Sequence, residues 1–558
     1  MNNTQRKWQL RFLIGILAAC LASTLNGQEA QLGKVEFPTS GGAKAQQYFL
    51  RGLAALHSFW YEEALDAFRE ASRIEPDFMM AYWGQAMAHN HPLWSEQDTA
   101  AGREAIARIK VSSKLSPRER EYLNAVKLLY GEGDKHVRDS AYSTAMEKIY
   151  RGYPDDLDGA AFYALSMLGL VNSEEKSYRL QARAGAIALD VYQKNPNHPG
   201  AAHYIIHAFD DPDHAVLALP AARRYASIAP EAHHAQHMPS HIFLQLGMWP
   251  EAAASNKSAW EASELWMRRK NLATSVRDYH SLHWLLYVYL QQGRYNKAEE
   301  LLTLMKKTMS ESTYDNKLRP RYYEGIYASM AAAFIVETER WELTGKLFSD
   351  KPSPESTISA QAATSGHGHG GGQRTAASEL ATVRSSNPAQ RIPSFIRSMS
   401  CALEGSDDKE LKLVDAEAAS GRTPQETIGE LEVAAVVASR KHDYEKAATL
   451  MKKATMLEEE TEPPSGPPGL IKPSHELFGE LMLQAGKPDV AKDHFKVTLQ
   501  RQPNRARSLL GAARAAAQTG DQQAAAAAYS RLLEQWQEAD EGLPELREAQ
   551  NYLKQLRR

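Results

Sequence analysis

The sequence predicts an all-α protein, a solenoid of stacked helical hairpins, and three observations support this prediction. A chain of 558 residues is too long for one compact core, whereas each repeat of a solenoid buries its apolar face against its neighbours. The composition, with 43% hydrophobic and 24% charged residues, is that of a soluble folded protein. Small, aromatic and proline residues also recur at fixed distances, which indicates an internal repeat.

The repeat pattern is clearest near the two ends of the chain. Counting back from Pro76, small and aromatic side chains stand at Gly52, Tyr61, Ala64, Phe68 and Ala71. Counting back from Pro503, they stand at Gly479, Gly486, Ala491 and Phe495. Small residues let two antiparallel helices pack closely, and the proline ends the second helix. Parts of the same frame recur at Gly247, Trp249 and Ala252, at Gly293, Tyr295 and Ala298, at Tyr444 and Ala447, and at Gly520 and Ala525.

These residues resemble the tetratricopeptide-repeat family in its exported bacterial form. The resemblance covers most of residues 45–540 and implies a right-handed α-solenoid of about eleven or twelve hairpins. Residues 113–195 and 320–420 match the family weakly, so their helices are predicted from helical periodicity instead.

The first 27 residues predict a secretory signal. Arg6, Lys7 and Arg11 precede an apolar stretch at 12–25, which is too short for a comfortable membrane span. Two endings fit the segment. Residues 17–20 resemble the lipobox of bacterial lipoproteins, in which Cys20 would be lipidated, and ordinary cleavage near residue 27 fits about as well. We therefore expect an exported, periplasmic or envelope-associated protein, held at a membrane only if Cys20 carries a lipid.

Composition divides the remainder of the chain. We expect a solenoid over 45–350, with histidine-lined central repeats at 199–312, and a low-complexity loop rich in Ser, Pro and Gly at 351–376. A helical region at 377–460, a C-terminal pair of repeats at 472–540 and a final helix at 541–558 are predicted to follow. The formal charge of -3 shows no basic bias, so nucleic acid is not an expected partner.

Two histidine pairs, His203/His207 and His237/His241, are 34 residues apart, which is one repeat length. A third repeat continues the series with His280 and His283. The resemblance implies that the first helix of each hairpin lines a concave groove through its second, fifth and ninth positions. In this frame the second positions are His234 and His280, the fifth are His203, His237 and His283, and the ninth are His207 and His241.

The spacing predicts a metal site. Residues four apart share one helix face about 6 Å from each other. Packed helices lie about 8–10 Å apart, so imidazoles from adjacent helices can meet at one ion. We predict zinc, copper or iron bound by His203, His207, His237, His241, His280 and His283. Further ligands, or residues that orient an imidazole, are predicted at His234, Asp210, Asp278, Glu476 and Glu480.

Other interpretations stay open at this point. The sequence has no zinc-protease motif, phosphate-binding glycine loop or nucleophile elbow, so any catalysis would come from the histidine groove. The alternative function is a metal-free scaffold that binds a protein or an extended peptide in the groove. We interpret His57 and His91 as buried packing residues, and His198, His214 and His233 as incidental residues at loops or helix starts.

Overall fold

The computed structural model describes residues 31–110, 113–171, 177–311, 322–348, 388–405 and 423–557. These residues form an all-α solenoid of tetratricopeptide-like hairpins, which confirms the predicted fold. The predicted signal, with Cys20, and the predicted loop at 351–376 lie outside the described residues. Within the described ranges, no helix combines the length and the apolar character needed to cross a lipid bilayer.

The described helices follow one another with short connections. In the first half they are α1 (Ala43–His57), α2 (Tyr61–Ile74), α3 (Met79–Ala88), α4 (Thr99–Ala107), α5 (Pro117–Leu129), α6 (Lys135–Gly152), α7 (Leu157–Leu168), α8 (Arg179–Lys194), α9 (Pro199–Ala208), α10 (Ala215–Ile228), α11 (His233–His237) and α12 (Pro239–Gln245). In the second half they are α13 (Trp249–Lys270), α14 (Tyr279–Gln291), α15 (Tyr295–Met309), α16 (Tyr322–Thr338), α17 (Thr344–Leu347), α18 (Pro388–Glu404), α19 (Pro424–Arg440), α20 (Tyr444–Glu459), α21 (Ser474–Gln484), α22 (Pro488–Arg501), α23 (Ala506–Gln518), α24 (Gln522–Gln535) and α25 (Pro544–Leu556). A short antiparallel ribbon, β1 (Asn90–His91) with β2 (Glu96–Gln97), follows α3.

The glycines of the repeat pattern let neighbouring helices approach one large ring. On α1 and α3, a Cβ atom at Gly52 or Gly84 would lie 2.8 or 2.4 Å from the ring of Phe68 on α2. Near the other end, a Cβ at Gly479 or Gly511 would lie 2.7 or 2.2 Å from the Phe495 ring. All four distances are too short for a side chain, so these positions require glycine where a phenylalanine ring fills the space between three helices.

The first hairpin also contacts the central hairpins directly. The rings of Trp60 and Trp266 pack edge to face with centroids 5.7 Å apart. Lys270 on α13 forms ion pairs with Glu63, at 2.6 Å, and with Asp66 on α2. The curl of the solenoid also brings the end of α1 against α9, where His57 Nδ1 lies 2.9 Å from the Tyr204 hydroxyl, 147 residues away in the sequence.

The C-terminal hairpins close back on the central ones through a buried ion-pair network. The Arg505 guanidinium lies 2.7 Å from Glu476 Oε2 and 2.6 Å from Glu337 Oε1, and it donates to the Tyr287 hydroxyl at 3.1 Å. Arg505 and Glu476 are fully buried and Glu337 is 2% exposed. A buried cation between two carboxylates fixes the position of α23 against α14, α16 and α21, because loss of the cation would remove the ion pair of the buried Glu337 and leave Glu476 with Lys472 alone.

We predict that Arg505→Met lowers the free energy of unfolding by about 3–5 kcal/mol, the usual consequence of breaking a buried ion pair. Urea unfolding followed by circular dichroism measures the change. The matched control is Arg73→Met, which removes an exposed pair with Glu70 on α2 and should leave the curve in place. Equal shifts for the two variants would contradict the proposed role of Arg505.

Candidate metal centre

Three successive hairpins supply the histidines of the candidate site. His203 and His207 lie four residues apart on α9, so their side chains share one face. In the next hairpin, Pro239 lacks the N–H that would continue the helix, which therefore breaks at Met238 into α11 and α12. The described residues contain two groups of three histidines whose ligand atoms all lie within 4.8 Å of one another.

The first histidine cluster consists of His203, His207 and His234. The Nε2 atoms of His203 and His207 are 3.0 Å apart. His203 is fully buried, and its Nδ1 lies 2.7 Å from the backbone oxygen of His57 at the end of α1. The His234 Nε2 atom is buried and has no hydrogen-bond partner among the described residues. Such an atom is costly to bury unless something binds it.

The second histidine cluster consists of His237, His241 and His280. The Nε2 atoms of His237 and His241 are 3.1 Å apart, in spite of the helix break between them. The Nδ1 atom of His237 lies 2.7 Å from Asn256 Oδ1, and that of His241 lies 2.6 Å from Asp210 Oδ2. The amide of Asn256 is oriented by its own donation to the Ala252 carbonyl oxygen at 2.9 Å.

These contacts determine which nitrogen carries the proton. A carbonyl oxygen only accepts hydrogen bonds, so the Nδ1 atoms of His203 and His237 must be donors. In a neutral imidazole the Nε2 atom then carries a bare lone pair. The second imidazole of each pair, about 3 Å away, must then present either an Nε2–H that donates to this lone pair or a lone pair of its own, and two facing lone pairs repel each other unless a cation lies between them. A tetrahedral ion with bonds of about 2.0–2.1 Å holds two nitrogens about 3.3 Å apart, close to the separations in both clusters.

The electrostatics keep these histidines neutral. Burial lowers the pKa of His203, His207, His234 and His237, and the neighbouring imidazoles lower it further. Burial, followed by the charge of His280, lowers the pKa of His241 to about 3. Neutral imidazole is the form that binds metal, so the site is poised for a cation at neutral pH.

In the second cluster, a proton from the Asp210 carboxyl can take the place of a cation between the two imidazoles. Burial raises the pKa of its carboxyl to about 8. Without a metal, the protonated carboxyl can donate to Nδ1 of His241, whose Nε2–H then donates to His237. A cation bound at His241 instead favours the ionised carboxylate, because the Nδ1–H must then donate to it. Metal binding at this cluster is thus expected to release about one proton.

A third cluster, His57, Asp158 and His198, has similar spacing but different chemistry. The Nδ1 atom of His198 accepts from the Ala201 N–H and caps α9, so its Nε2–H faces Asp158 at 3.3 Å. The Nε2–H of His57 donates to Asp158 at 2.9 Å, and its Nδ1 accepts from the Tyr204 hydroxyl. Burial opposes the charge on Asp158, but the N–H groups of His198 and His57 that face it prevail and lower its pKa. His57 forms a well-aligned hydrogen bond with the carboxylate, whereas His198 Nε2 and Asp158 Oδ2 are buried without one among the described residues. An ionised carboxylate between two imidazole N–H groups holds α1, α7 and α9 together without an ion.

Aromatic side chains cover both histidine clusters. The Trp284 ring lies 4.3 Å from the ring of His241 and 4.8 Å from that of His237, measured between centroids. The Phe59 ring lies 4.3 Å from His203 on the other side. The connection at 462–473 crosses near Trp284, and its Pro464 oxygen accepts from the Gln245 side chain. His280 is exposed, so solvent reaches the second cluster from its side.

The structure brings together most, but not all, of the residues predicted from the sequence. Asp210 orients His241, as predicted for a residue that supports a ligand. Asp278 instead caps α14 through the Ser281 N–H and lies 3.2 Å from Nδ1 of His233. His283 is half-buried on α14 and belongs to none of the three clusters found in the described ranges.

Glu476 and Glu480 do not join the histidines, contrary to the sequence prediction. Glu476 pairs with Arg505 and Lys472, and Glu480 lies 2.6 Å from the Lys472 ammonium. These two cations already neutralise the carboxylates. Asn256 and the His57 carbonyl oxygen, which hold two of the ligand histidines, were not predicted, because neither carries a sequence signal for this role.

Comparison with known proteins adds only general similarity. No protein-family model matches the chain, and no curated protein matches it. Among solved structures, the human IFIT1 dimer with m7Gppp-AAAA is 13% identical with a TM-score of 0.32, over 94% of this chain and 91% of that one. Yeast Tom70 is 10% identical with a TM-score of 0.30, over 86% and 89%. The TPR domain of P58(IPK) is 12% identical with a TM-score of 0.20, over 92% and 99%.

The depressed histidine pKa values predict an acid-labile metal-free protein. Unfolded histidine titrates near pH 6.5, whereas the buried rings stay neutral well below it, so the unfolded state binds more protons. With a chelator present, the free energy of unfolding should fall as the pH drops below about 6.5, by about 1.4 kcal/mol per pH unit for each ring that stays neutral. For His241 this loss continues towards pH 3.

Urea unfolding at several pH values measures this slope. The variant His207→Asn/His241→Asn should show a shallower slope, because it removes two of the depressed groups. The His233 ring acts in the opposite direction: burial lowers its pKa, but the Asp278 carboxylate outweighs burial and raises it. A slope that is the same in the wild type and the double variant would contradict the assignment.

Proposed function

We propose that this helical solenoid binds two transition-metal ions, one in each histidine cluster. One observation carries the proposal: buried acceptors fix the protons on Nδ1 of His203 and His237 and so direct lone pairs at a neighbouring imidazole. The third cluster differs, since its two Nε2–H groups face the ionised Asp158 carboxylate and no two imidazole lone pairs face each other there.

The donor set favours copper or zinc over iron. Both clusters offer imidazole nitrogen only, with carboxylates such as Asp210 behind the rings. Imidazole suits zinc and copper, whereas mononuclear iron sites of the oxygenase type combine two histidines with one carboxylate. Affinity for such sites also rises towards copper along the divalent series. Three protein ligands leave a fourth position open, which is the arrangement of catalytic rather than structural zinc.

An ion with an open position gives the site a chemical role. Bound to neutral ligands, it keeps its full charge and can polarise a water molecule or another small ligand. Asp210 supplies a compensating negative charge behind His241, and the Trp284 and Phe59 rings exclude water from part of the surface. We propose that the protein carries out this role after export, as its N-terminal sequence predicts.

A second candidate function is a scaffold for a protein or peptide partner. The hairpin fold supports it, because helical repeats present extended concave surfaces to their ligands. This candidate requires no metal, so the measurements below separate the two functions.

We predict two equivalents of copper or zinc per chain after loading and dialysis, measured by elemental analysis. His203→Ala and His237→Ala should each retain one equivalent, because each variant disrupts one cluster. The control is His136→Ala, an exposed histidine on α6, which should retain two. A wild-type chain that loses all metal on dialysis and keeps its thermal stability would favour the scaffold instead.

We also predict that Asn256 matters only as an acceptor. Asn256→Ala frees the Nδ1 atom of His237, and loss of such a supporting contact typically weakens metal binding about 10- to 100-fold. Asn256→Asp keeps an oxygen acceptor and should restore affinity. Competition with a chromophoric chelator measures both variants. An Asp variant as weak as the Ala variant would show that residue 256 acts through packing alone.

A further inference from the structure

The two histidine clusters share one arrangement of buried and open rings. In each cluster, the histidine whose Nδ1 is held by a fixed acceptor is fully buried, namely His203 in the first and His237 in the second. The other members are half-buried or, in the last case, exposed: His207, His234, His241 and His280. Three protein ligands leave one position of a tetrahedral ion free. We expect that position on the side of the open rings, where a small ligand can reach it.

The two clusters also lie close together. His207 and His241 occupy equivalent places in successive repeats, and their ring centroids are 6.1 Å apart. Each also has the same relation to its buried partner, with Nε2 atoms 3.0 Å apart for His207 and 3.1 Å apart for His241. Two ions held by equivalent pairs are displaced from each other about as far as the rings are, so we place them roughly 6 Å apart.

The surroundings supply too little negative charge for two such ions. All six ligands are imidazoles, which bind metal in the neutral form. The Asp210 carboxylate lies behind His241, whereas Asp278 is already paired with His233 at 3.2 Å. Two divalent ions would therefore keep most of their charge, since Asp210 compensates only one unit of it. Charges in a half-buried site are stable only when counter-charges accompany them.

A single small anion can supply the missing charge and fill both free positions. A one-atom bridge suits ions about 3.5–4 Å apart, which is shorter than the separation inferred for these clusters. Azide or a carboxylate instead has two terminal donor atoms about 2.2–2.4 Å apart, so with two metal–ligand bonds of about 2 Å it spans up to roughly 6 Å. The length of such an anion therefore matches the gap between the two ions.

We propose that the two clusters form one dinuclear centre, which binds a small anion with two terminal donor atoms, one atom on each ion. This inference rests on the proposed binding of two metal ions and adds the class of ligand that they share. The anion forms two metal–ligand bonds in place of bound water, and no bond within it breaks. Because the second bond forms within a complex that already exists, the bridged anion is held more tightly than an anion on one ion.

Azide, titrated into the full-length protein loaded with copper(II), tests the proposal. We expect one azide per two copper ions when the charge-transfer absorption between azide and copper is followed. The electron paramagnetic resonance signal should fall as azide binds, because a shared bridge couples the two unpaired electrons. Chloride is the matched ligand control: its single atom does not span the two ions, so it should leave the signal in place.

Three variants separate bridging from binding at one ion. His203→Ala, which retains an ion in the second cluster only, should bind azide at least about tenfold more weakly and keep its resonance signal. Asp210→Asn keeps an oxygen that accepts from Nδ1 of His241 but removes a negative charge, so it should bind azide more tightly than the wild type. His136→Ala, an exposed histidine on α6, should behave as the wild type does.

Elemental analysis of the same samples distinguishes failure of this inference from failure of metal binding. A wild type that holds two copper ions but binds two azides independently, with the affinity of His203→Ala and an unchanged resonance signal, would overturn the dinuclear centre and leave metal binding intact. A wild type that retains fewer than two copper ions would overturn both proposals. If His203→Ala does not fold, the azide stoichiometry and resonance signal of the wild type and of Asp210→Asn decide the result.

Discussion

The candidate metal centre depends on how buried acceptors hold the Nδ1 atoms of its histidines. A neutral imidazole has one proton, so an acceptor at Nδ1 leaves Nε2 as a lone pair. The His57 carbonyl oxygen does this for His203 and Asn256 does it for His237. Both rings then point their lone pairs at the histidine four residues further along the chain. The third cluster lacks this arrangement, because its Nε2–H groups face the Asp158 carboxylate, and our proposal therefore places no metal there.

The acceptor for His203 is in place because the solenoid curls on itself, whereas Asn256 lies on α13 in the same hairpin as His237. His57 lies at the end of α1, yet its carbonyl oxygen reaches His203, which is 146 residues away in sequence. The Asp158 network fixes α1 against α9, and the Lys270 ion pairs fix α2 against α13. At the other end, Arg505 holds the C-terminal hairpins on α14 and α16. The chemistry of the histidines is thus a property of the whole curl and not of one repeat.

This origin explains how far the sequence could predict the structure. The hairpins follow from local patterns of glycine, aromatic and proline residues, so the fold was predicted and is confirmed. The 34-residue register of His203 and His207 with His237 and His241 placed the pairs on equivalent helix faces. The division into two clusters, the place of His234 in the first and the acceptor from His57 depend on contacts between hairpins. Asn256 lies within the hairpin of His237, but an asparagine carries no sequence signal for this role. Glu476 illustrates the same limit, since the curl brings its helix towards the centre but gives it Arg505 as a partner.

The two histidine clusters differ in their access to solvent, and this difference predicts which of them would take up an ion first. The second cluster has an exposed ligand, His280, whereas the first contains the fully buried His203 beneath Phe59. The rings of His207 and His241 are only 6.1 Å apart between centroids, so the clusters form one continuous row of imidazoles. Under the proposed function, an ion that enters at His280 can pass from ring to ring without crossing an apolar layer. We therefore expect the buried cluster to exchange its ion through the exposed cluster, and to do so more slowly.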